Sequence, residues 1–181
     1  MDSVDSLIAK LKSDSVTDRM TAARDLVKHG PNAAAAIPQL IASLADPNGP
    51  VTDSVMWALG AIGQAAIQPL ATATCTGPTL RRQMACYALG RYAPYATAKV
   101  AVLVDLLHDT DTDVVKAAAT SLVTLGQHLG RDHEYRETPL TEDELAAAQK
   151  LAALLDTFVG DPCLDNSGFT EQALMWLNPL R

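Results

Sequence analysis

The sequence repeats itself at intervals of 30 or 33 residues, and this internal similarity limits the fold more than any other feature. Residues 37–63 align without a gap on residues 100–126, so that Asp46 meets Asp109. Leucines recur at one equivalent position of four successive units: Leu26, Leu59, Leu89 and Leu122. A repeat of this length is typical of helical solenoids, in which each unit buries its apolar face against its neighbours.

Each unit is predicted to contain two helices joined by a turn. In the first helix, apolar residues follow the helical spacing i, i+3, i+4 and i+7: Ile37, Leu40, Ile41 and Leu44. Prolines lie near the predicted start of such helices, where a missing N–H costs little: Pro38 and Pro69. The segment Asp-Pro-Asn-Gly-Pro at 46–50 has the composition of a turn.

The second helix of a unit is predicted to end at glycine. Its apolar face is formed by Val51, Val55, Leu59 and Ile62. The residues at its end are Gly30, Gly63 and Gly126, with Ala93 in the third unit. Glycine suits this place because it adopts the left-handed backbone conformation of a helix terminus. The same register places Thr52 and Thr124 near the surface.

The segment DTDVVKAAATSLVTLG at 111–126 resembles HEAT repeats, and within them the HEAT-like repeats associated with phycobilisome (PBS) bilin lyases. The resemblance implies an all-α, right-handed α-solenoid of about five antiparallel helix pairs in one domain, 1–181. The second helices would line its concave surface. The predicted repeats are 3–30, 33–63, 64–93, 96–126 and a divergent capping repeat 141–178.

The C-terminal part departs from the repeat pattern. A polar insert is predicted at 127–140, and Thr141 with Glu144 then forms a capping-box pattern that opens a helix as far as about Val159. A last helix is predicted at about 167–177. A terminal repeat needs an outer face that tolerates water, so this longer, acidic pair suits a cap.

Catalytic and metal-binding chemistry has little support in the sequence. His128, His133 and Glu134 form the one close group of metal-ligand side chains, but their spacing matches neither the HExxH of zinc proteases nor a zinc finger, and they fall in the predicted insert. His-Glu dyads recurring on successive repeats, which mark the iron-binding hydroxylase branch of HEAT-like proteins, are absent. Cys75 and Cys86 are interpreted as small buried thiols. The sequence therefore predicts no enzyme, no cofactor and no metal.

The charges are unevenly distributed along the chain. The net charge is −7, which argues against binding of nucleic acid. Residues 54–104 nevertheless contain no Asp or Glu and have a local charge of +4, carried by Arg81, Arg82, Arg91 and Lys99. This basic segment lies between acidic ends and predicts a surface for an acidic or anionic partner.

Trp57 belongs to this basic segment and lies off the apolar stripe of its helix. Alignment of the second helices stacks Arg24, Trp57, Tyr87 and Thr120 in one column. Aromatic residues and arginine are enriched at interface hot spots. The predicted partner-binding residues are Trp57, Tyr87, Arg91, Arg82 and Arg24. The alternative is that Trp57 packs between repeats as a core residue.

The functional hypothesis is a non-catalytic scaffold or adaptor that binds an acidic protein partner on the concave face of repeats 2–3. The alternative, implied by the resemblance alone, is a bilin lyase-like subunit that handles a chromophore, for which an absorbance scan with added bilins is the test. The acidic N-terminus is followed by no apolar run, and no segment is long enough to span a membrane. We therefore expect a soluble cytoplasmic protein.

Overall fold

The computed structural model describes residues 2–91, 96–135, 139–160 and 169–178. These residues form α-helices joined by turns and short 3-10 segments, and no strand occurs among them. The all-α prediction is confirmed. The helices are α1 (Val4–Lys10), α2 (Val16–His29), α3 (Ile37–Ala42), α4 (Gly49–Ile62), α5 (Gln64–Cys75), α6 (Thr79–Gly90), α7 (Ala96–Asp105), α8 (Thr112–Tyr135), α9 (Glu142–Leu155) and α10 (Phe169–Leu177).

The chain divides into two compact units, Met1–Ala88 and Leu89–Arg181. In the first unit α2 packs against α1 and α4, and α3 packs against α4 and α5. In the second unit α8 packs against α7, α9 and α10. Each unit has its own core of aliphatic side chains. The predicted single domain with a concave face, and the repeat boundaries, stay predictions.

The apolar stripes assigned from the repeat are buried. The predicted stripe of α4 is at most 2% exposed in all four members: Val51, Val55, Leu59 and Ile62. The equivalent leucines of the units are equally buried: Leu26, Leu59, Leu89 and Leu122. Burial of these side chains supplies the main driving force for helix pairing, at about 25 cal/mol per Å² of apolar surface.

The turn between the two helices of a unit is built in the same way in three units. A side-chain oxygen accepts a hydrogen bond from the backbone N–H two residues later, at Ser13 (3.1 Å), Asp46 (2.9 Å) and Asp109 (2.8 Å). These three positions are equivalent in the repeat alignment. Such turns stabilise the reversal of the chain through hydrogen bonds between residues close together in the sequence.

Glycine ends α2 and α4, as predicted. Gly30 has φ 54° and ψ −134°, and Gly63 has φ 78° and ψ −132°. Only glycine adopts this region of conformational space readily. The N–H of Gly63 donates to the carbonyl of Leu59, which closes the last turn of α4.

The prediction that Gly126 ends a helix is wrong, since α8 continues through it to Tyr135. Much of the predicted polar insert is therefore helical. A Cβ on Gly126 would lie 3.0 Å from Leu177 Cδ1 and 3.3 Å from Leu155 Cδ1. The absent side chain lets α9 and α10 approach α8, and the apolar face of α8 continues past Gly126 to the fully buried Leu129.

Two further predictions of local structure are wrong. Pro69 lies inside α5 rather than near a helix start, because α5 begins directly after Gly63. Thr52 is 6% exposed rather than at the surface, since the turn at Asp46 folds over the start of α4. The Thr52 hydroxyl donates to the Asp46 carbonyl at 3.3 Å. Thr124 is half-buried.

The capping box at the start of α9 is confirmed. The Thr141 side chain accepts from the Glu144 N–H at 3.2 Å, and the Glu144 carboxylate accepts from the Thr141 N–H at 2.9 Å. The helix ends at Leu155 and is followed by turns through residue 160, so Val159 lies beyond it. The predicted helix terminus at Ala93 lies outside the described residues.

Candidate functional site

The exposed face of α4 carries Trp57. The helix begins at Gly49 and Pro50, where a missing N–H costs little, and its buried stripe faces α2 and α3. Trp57 lies roughly opposite Val55 on the helical wheel and is 48% exposed. The exposure predicted from the periodicity is therefore observed, and the alternative that Trp57 is a core residue is not. Its role in binding stays a prediction.

The other predicted contact residues differ in their surroundings. Arg24 is exposed on α2, and Tyr87 is half-buried on α6. Arg82 is half-buried, and its Nε donates to the Thr74 carbonyl at 2.8 Å, which ties α6 to the end of α5. Arg91 follows α6 in the second unit and is half-buried. The predicted contact between Trp57 and Tyr87 stays a prediction.

The basic segment is not a uniform surface. Lys99 is 6% exposed on α7, so its prediction as a surface charge is wrong. Burial lowers the pKa of Lys99 to about 8. The position is equivalent to Ala36 and Ala66, which are also buried. The lysine thus occupies a site that alanine fills in two other units, and charge counting along the sequence could not show this.

A solvent-open groove between α4 and α6 lies on the same side of α4 as Asp53. Its volume is about 330 Å³. The wall is formed by the exposed Pro47 and Leu80 and the half-buried Met84, and the buried Met56 and Leu44 lie at the floor. All of these residues belong to the first unit.

Sequence reasoning missed this groove. Leu80 and Met84 are spaced by four residues and lie outside the stripe that contains Ala85 and Leu89. That spacing places both side chains on one face of α6. A second apolar face on a helix was therefore a signal available in the sequence. Leu80 is 48% exposed, which matches the exposure of Trp57.

A half-buried ion pair fixes the turn beneath the groove. Arg19 on α2 contacts Asp46 with two hydrogen bonds, Nε to Oδ2 at 2.7 Å and a terminal nitrogen to Oδ1 at 3.1 Å. Burial acts to raise the pKa of Asp46, but hydrogen bonds from Arg19 and from the Asn48 N–H outweigh it and hold this pKa below its ordinary value. Asp46 therefore stays ionised, and its charge is balanced by Arg19.

The remaining candidate chemistry receives no support from geometry. Within the part of the chain that the structure describes, no group of three potential metal ligands occurs. The side chains of His133 and Glu134 lie outside the described residues. Cys75 is exposed, which corrects its interpretation as a buried thiol, whereas Cys86 is buried. Over the same described ranges, no helix combines the length and apolar character that a bilayer crossing requires.

Comparison with known proteins gives structural likenesses only. No family model matches the sequence, and no curated protein matches it. Two crystal structures of engineered proteins from the Northeast Structural Genomics Consortium are similar. The first has a TM-score of 0.42 and 18% identity, covering 99% of this chain and 98% of that one. The second has a TM-score of 0.41 and 16% identity, covering 99% and 100%.

The complex of CpcE and CpcF of phycocyanin lyase from Nostoc sp. PCC7120 is also similar, with a TM-score of 0.46 and 22% identity. The match covers 99% of this chain and 77% of that one. These values are too low to transfer a function, and the chromophore-handling alternative stays a prediction.

Proposed function

We propose that this chain is a non-catalytic adaptor that binds a protein partner through the exposed face of α4 and α6. The observation that supports this most directly is Trp57, a large aromatic side chain left 48% exposed on α4 one helical turn after the groove residue Asp53. Leu80 on α6 is equally exposed. Tryptophan is among the residues most enriched at interface hot spots. Exposed apolar side chains that cluster on one face mark binding surfaces more often than isolated ones do.

The expected partner is acidic at the contact. Arg81 and Arg82 are the third and fourth residues of α6, and the whole of α5 and α6 contains no Asp or Glu. Hydrogen bonds from the two guanidinium groups to backbone carbonyls hold them in place without removing their charge. Opposite charge on a partner would speed its approach and orient it on this face.

The test is a comparison of three baits: the unchanged chain, Trp57→Ala, and Met175→Ala as a matched control. Met175 is 61% exposed and lies on α10 in the second unit. Proteins captured by the unchanged chain are purified, and their affinities for the three baits are measured. We expect Trp57→Ala to weaken binding by about 30-fold, in line with a hot-spot loss near 2 kcal/mol. Met175→Ala should have no effect.

Thermal unfolding of the same three baits separates binding from stability. Because Trp57 is half exposed, its replacement should shift the melting temperature little. A large loss of stability with partner binding intact would show that Trp57 is structural. Partners that depend on Met175 and not on Trp57 would place the interface elsewhere.

A further inference from the structure

The groove between α4 and α6 is apolar inside. Its volume of about 330 Å³ lies at the lower end of the range for ligand sites, which leaves room for one long side chain. Leu80 and Met84 form one wall, and Met56, only 5% exposed, lies at the floor. Methionine is polarizable and adapts its shape to different apolar groups. The interior therefore suits an aliphatic chain.

The charged residues that line the groove are both acidic: Asp46 and Asp53. The Asp46 side chain is only 7% exposed, and its charge is balanced by Arg19. Asp53 is exposed on the second turn of α4, at the rim of the groove. A carboxylate has several acceptor positions, so Asp53 can accept from a ligand as well as from the protein. The charge that the rim offers to a ligand is therefore negative.

The arginines of α6 lie outside the groove. Arg81 donates to the Thr76 carbonyl at 3.2 Å, and Arg82 donates to the Thr74 carbonyl at 2.8 Å. Both guanidinium groups therefore contact the end of α5, and neither residue lines the groove. Acidic groups of a partner that face these arginines and a basic group that faces Asp53 would occupy different places on the surface.

We propose that the groove receives one arginine side chain of the partner protein. Its aliphatic stem would lie against Leu80, Met84 and Met56, and its guanidinium would contact the Asp53 carboxylate. Long basic side chains bury the stem against apolar surface and keep the charged end in water. The proposal rests on the adaptor function given above and adds one anchor to it, one helical turn before Trp57 on α4.

Two properties of the guanidinium group favour arginine over lysine. It is more weakly hydrated than an ammonium group, so its placement beside apolar side chains costs less. Its planar fork also donates two parallel hydrogen bonds to one carboxylate. We therefore expect the groove to select its ligand by charge at the rim and by apolar contact inside.

The methionine methyl groups of the full chain, observed by NMR, provide a direct readout. Met56 and Met84 line the groove, whereas Met20 and Met175 do not. The probes are short acetylated peptides of serine and glycine with one central residue: arginine, its uncharged analogue citrulline, or serine. We expect the arginine peptide to shift Met56 and Met84 saturably. It should bind about 2-fold to 5-fold more tightly than the citrulline peptide, the range of an exposed ion pair.

The rim is tested by Asp53→Asn. This variant should bind the arginine and citrulline peptides equally, because it removes the charge that distinguishes them, and its affinity for citrulline should stay within about 2-fold of that of the unchanged chain. The matched control is Asp113→Asn, since Asp113 is exposed on α8 in the second unit. The control should keep the preference for arginine.

The wall is tested by Leu80→Ser. Because this variant removes half-exposed apolar surface, it should weaken binding of the arginine and citrulline peptides alike, by at least about 3-fold. The matched control is Leu145→Ser, since Leu145 is 38% exposed on α9 in the second unit. The serine peptide, which has no stem to bury, should bind most weakly to the unchanged chain.

Three results would overturn the proposal: no saturable shifts at Met56 and Met84, equal binding of the arginine and citrulline peptides to the unchanged chain, or shifts confined to Met175. The purified partner distinguishes this failure from failure of the adaptor function. If Trp57→Ala weakens partner binding and neither Asp53→Asn nor Leu80→Ser does, the adaptor function stands and the groove proposal is wrong. If none of the three variants affects partner binding, both are wrong.

Discussion

Residues 37–63 and residues 100–126 align without a gap, yet they form different structures at their ends and on their faces. Both segments contain the same turn, closed by an aspartate. The helix of the first segment, α4, stops at Gly63 with a positive φ. The helix of the second, α8, runs through the equivalent Gly126 and ends at Tyr135.

The difference follows from what lies next to each helix. At Gly63 the chain turns directly into α5, and the glycine serves the backbone. At Gly126 the glycine serves packing, because Leu155 and Leu177 occupy the space that a side chain would need. The same residue type at the same repeat position therefore has two physical roles. A repeat alignment predicts the apolar stripe of a helix, but its tertiary neighbours decide at which residue the helix ends.

The largest expected effect on stability concerns the position just before the two segments. This position is Ala36 before residues 37–63 and Lys99 before residues 100–126. Burial lowers the pKa of Lys99 from 10.5 to about 8. Below pH 8 the lysine is protonated in both folded and unfolded chains, and folding bears the net cost that lowers its pKa. Between pH 8 and 10.5 the folded chain has lost this proton and the unfolded chain has kept it, so stability rises with pH.

We therefore expect Lys99→Met to raise the free energy of unfolding at pH 7 by about 3 kcal/mol, since each pKa unit corresponds to about 1.4 kcal/mol. The variant should also lose the rise in stability across this pH window. Urea unfolding at several pH values measures both effects. Lys116→Met is the control, because Lys116 is exposed on α8. Destabilisation by Lys99→Met at pH 7 would contradict the expectation.

The two glycines give the next largest effect and test their different roles. Gly63→Ala and Gly63→Ser should each lower the free energy of unfolding by roughly 1–3 kcal/mol, because the penalty comes from the backbone conformation and not from side-chain size. Gly126→Ala should change stability by less than about 1 kcal/mol, since the gain in helix propensity offsets a tight contact. Gly126→Leu should cost roughly 1–3 kcal/mol through overpacking.

Urea unfolding of all four glycine variants decides this prediction. A cost that grows with side-chain size at Gly126 and not at Gly63 supports the two roles. If Gly126→Leu were no worse than Gly126→Ala, close packing of α9 and α10 on α8 would not be the reason for glycine at this position.

The smallest expected effect concerns Thr52, which is equivalent to Val115 in the alignment. Thr52→Val removes the hydroxyl that donates to the Asp46 carbonyl. We expect the free energy of unfolding to fall by about 0.5–1 kcal/mol. The reverse change, Val115→Thr, should stay within about 0.5 kcal/mol because Val115 is half-buried. Equal effects in thermal unfolding would show that the hydroxyl of Thr52 does not stabilise the turn.

Some features of this protein were determined by the sequence alone. Helical periodicity identified the buried stripe and left Trp57 outside it, since the spacing of side chains around a helix does not depend on tertiary contacts. The sequence also predicted the end of α4 at Gly63 and the capping box of Thr141 and Glu144. Their hydrogen bonds and backbone conformation involve residues close together in the chain.

Other features were decided only by tertiary structure. The burial of Lys99, the packing role of Gly126 and the groove at Leu80 and Met84 depend on which elements lie beside these residues. Local patterns carry no information about such neighbours, because the free energy of a buried charge or an omitted Cβ comes from contacts between residues distant in sequence. Counting charges along the chain therefore overstated the basic surface, because Lys99 is buried in the packed structure.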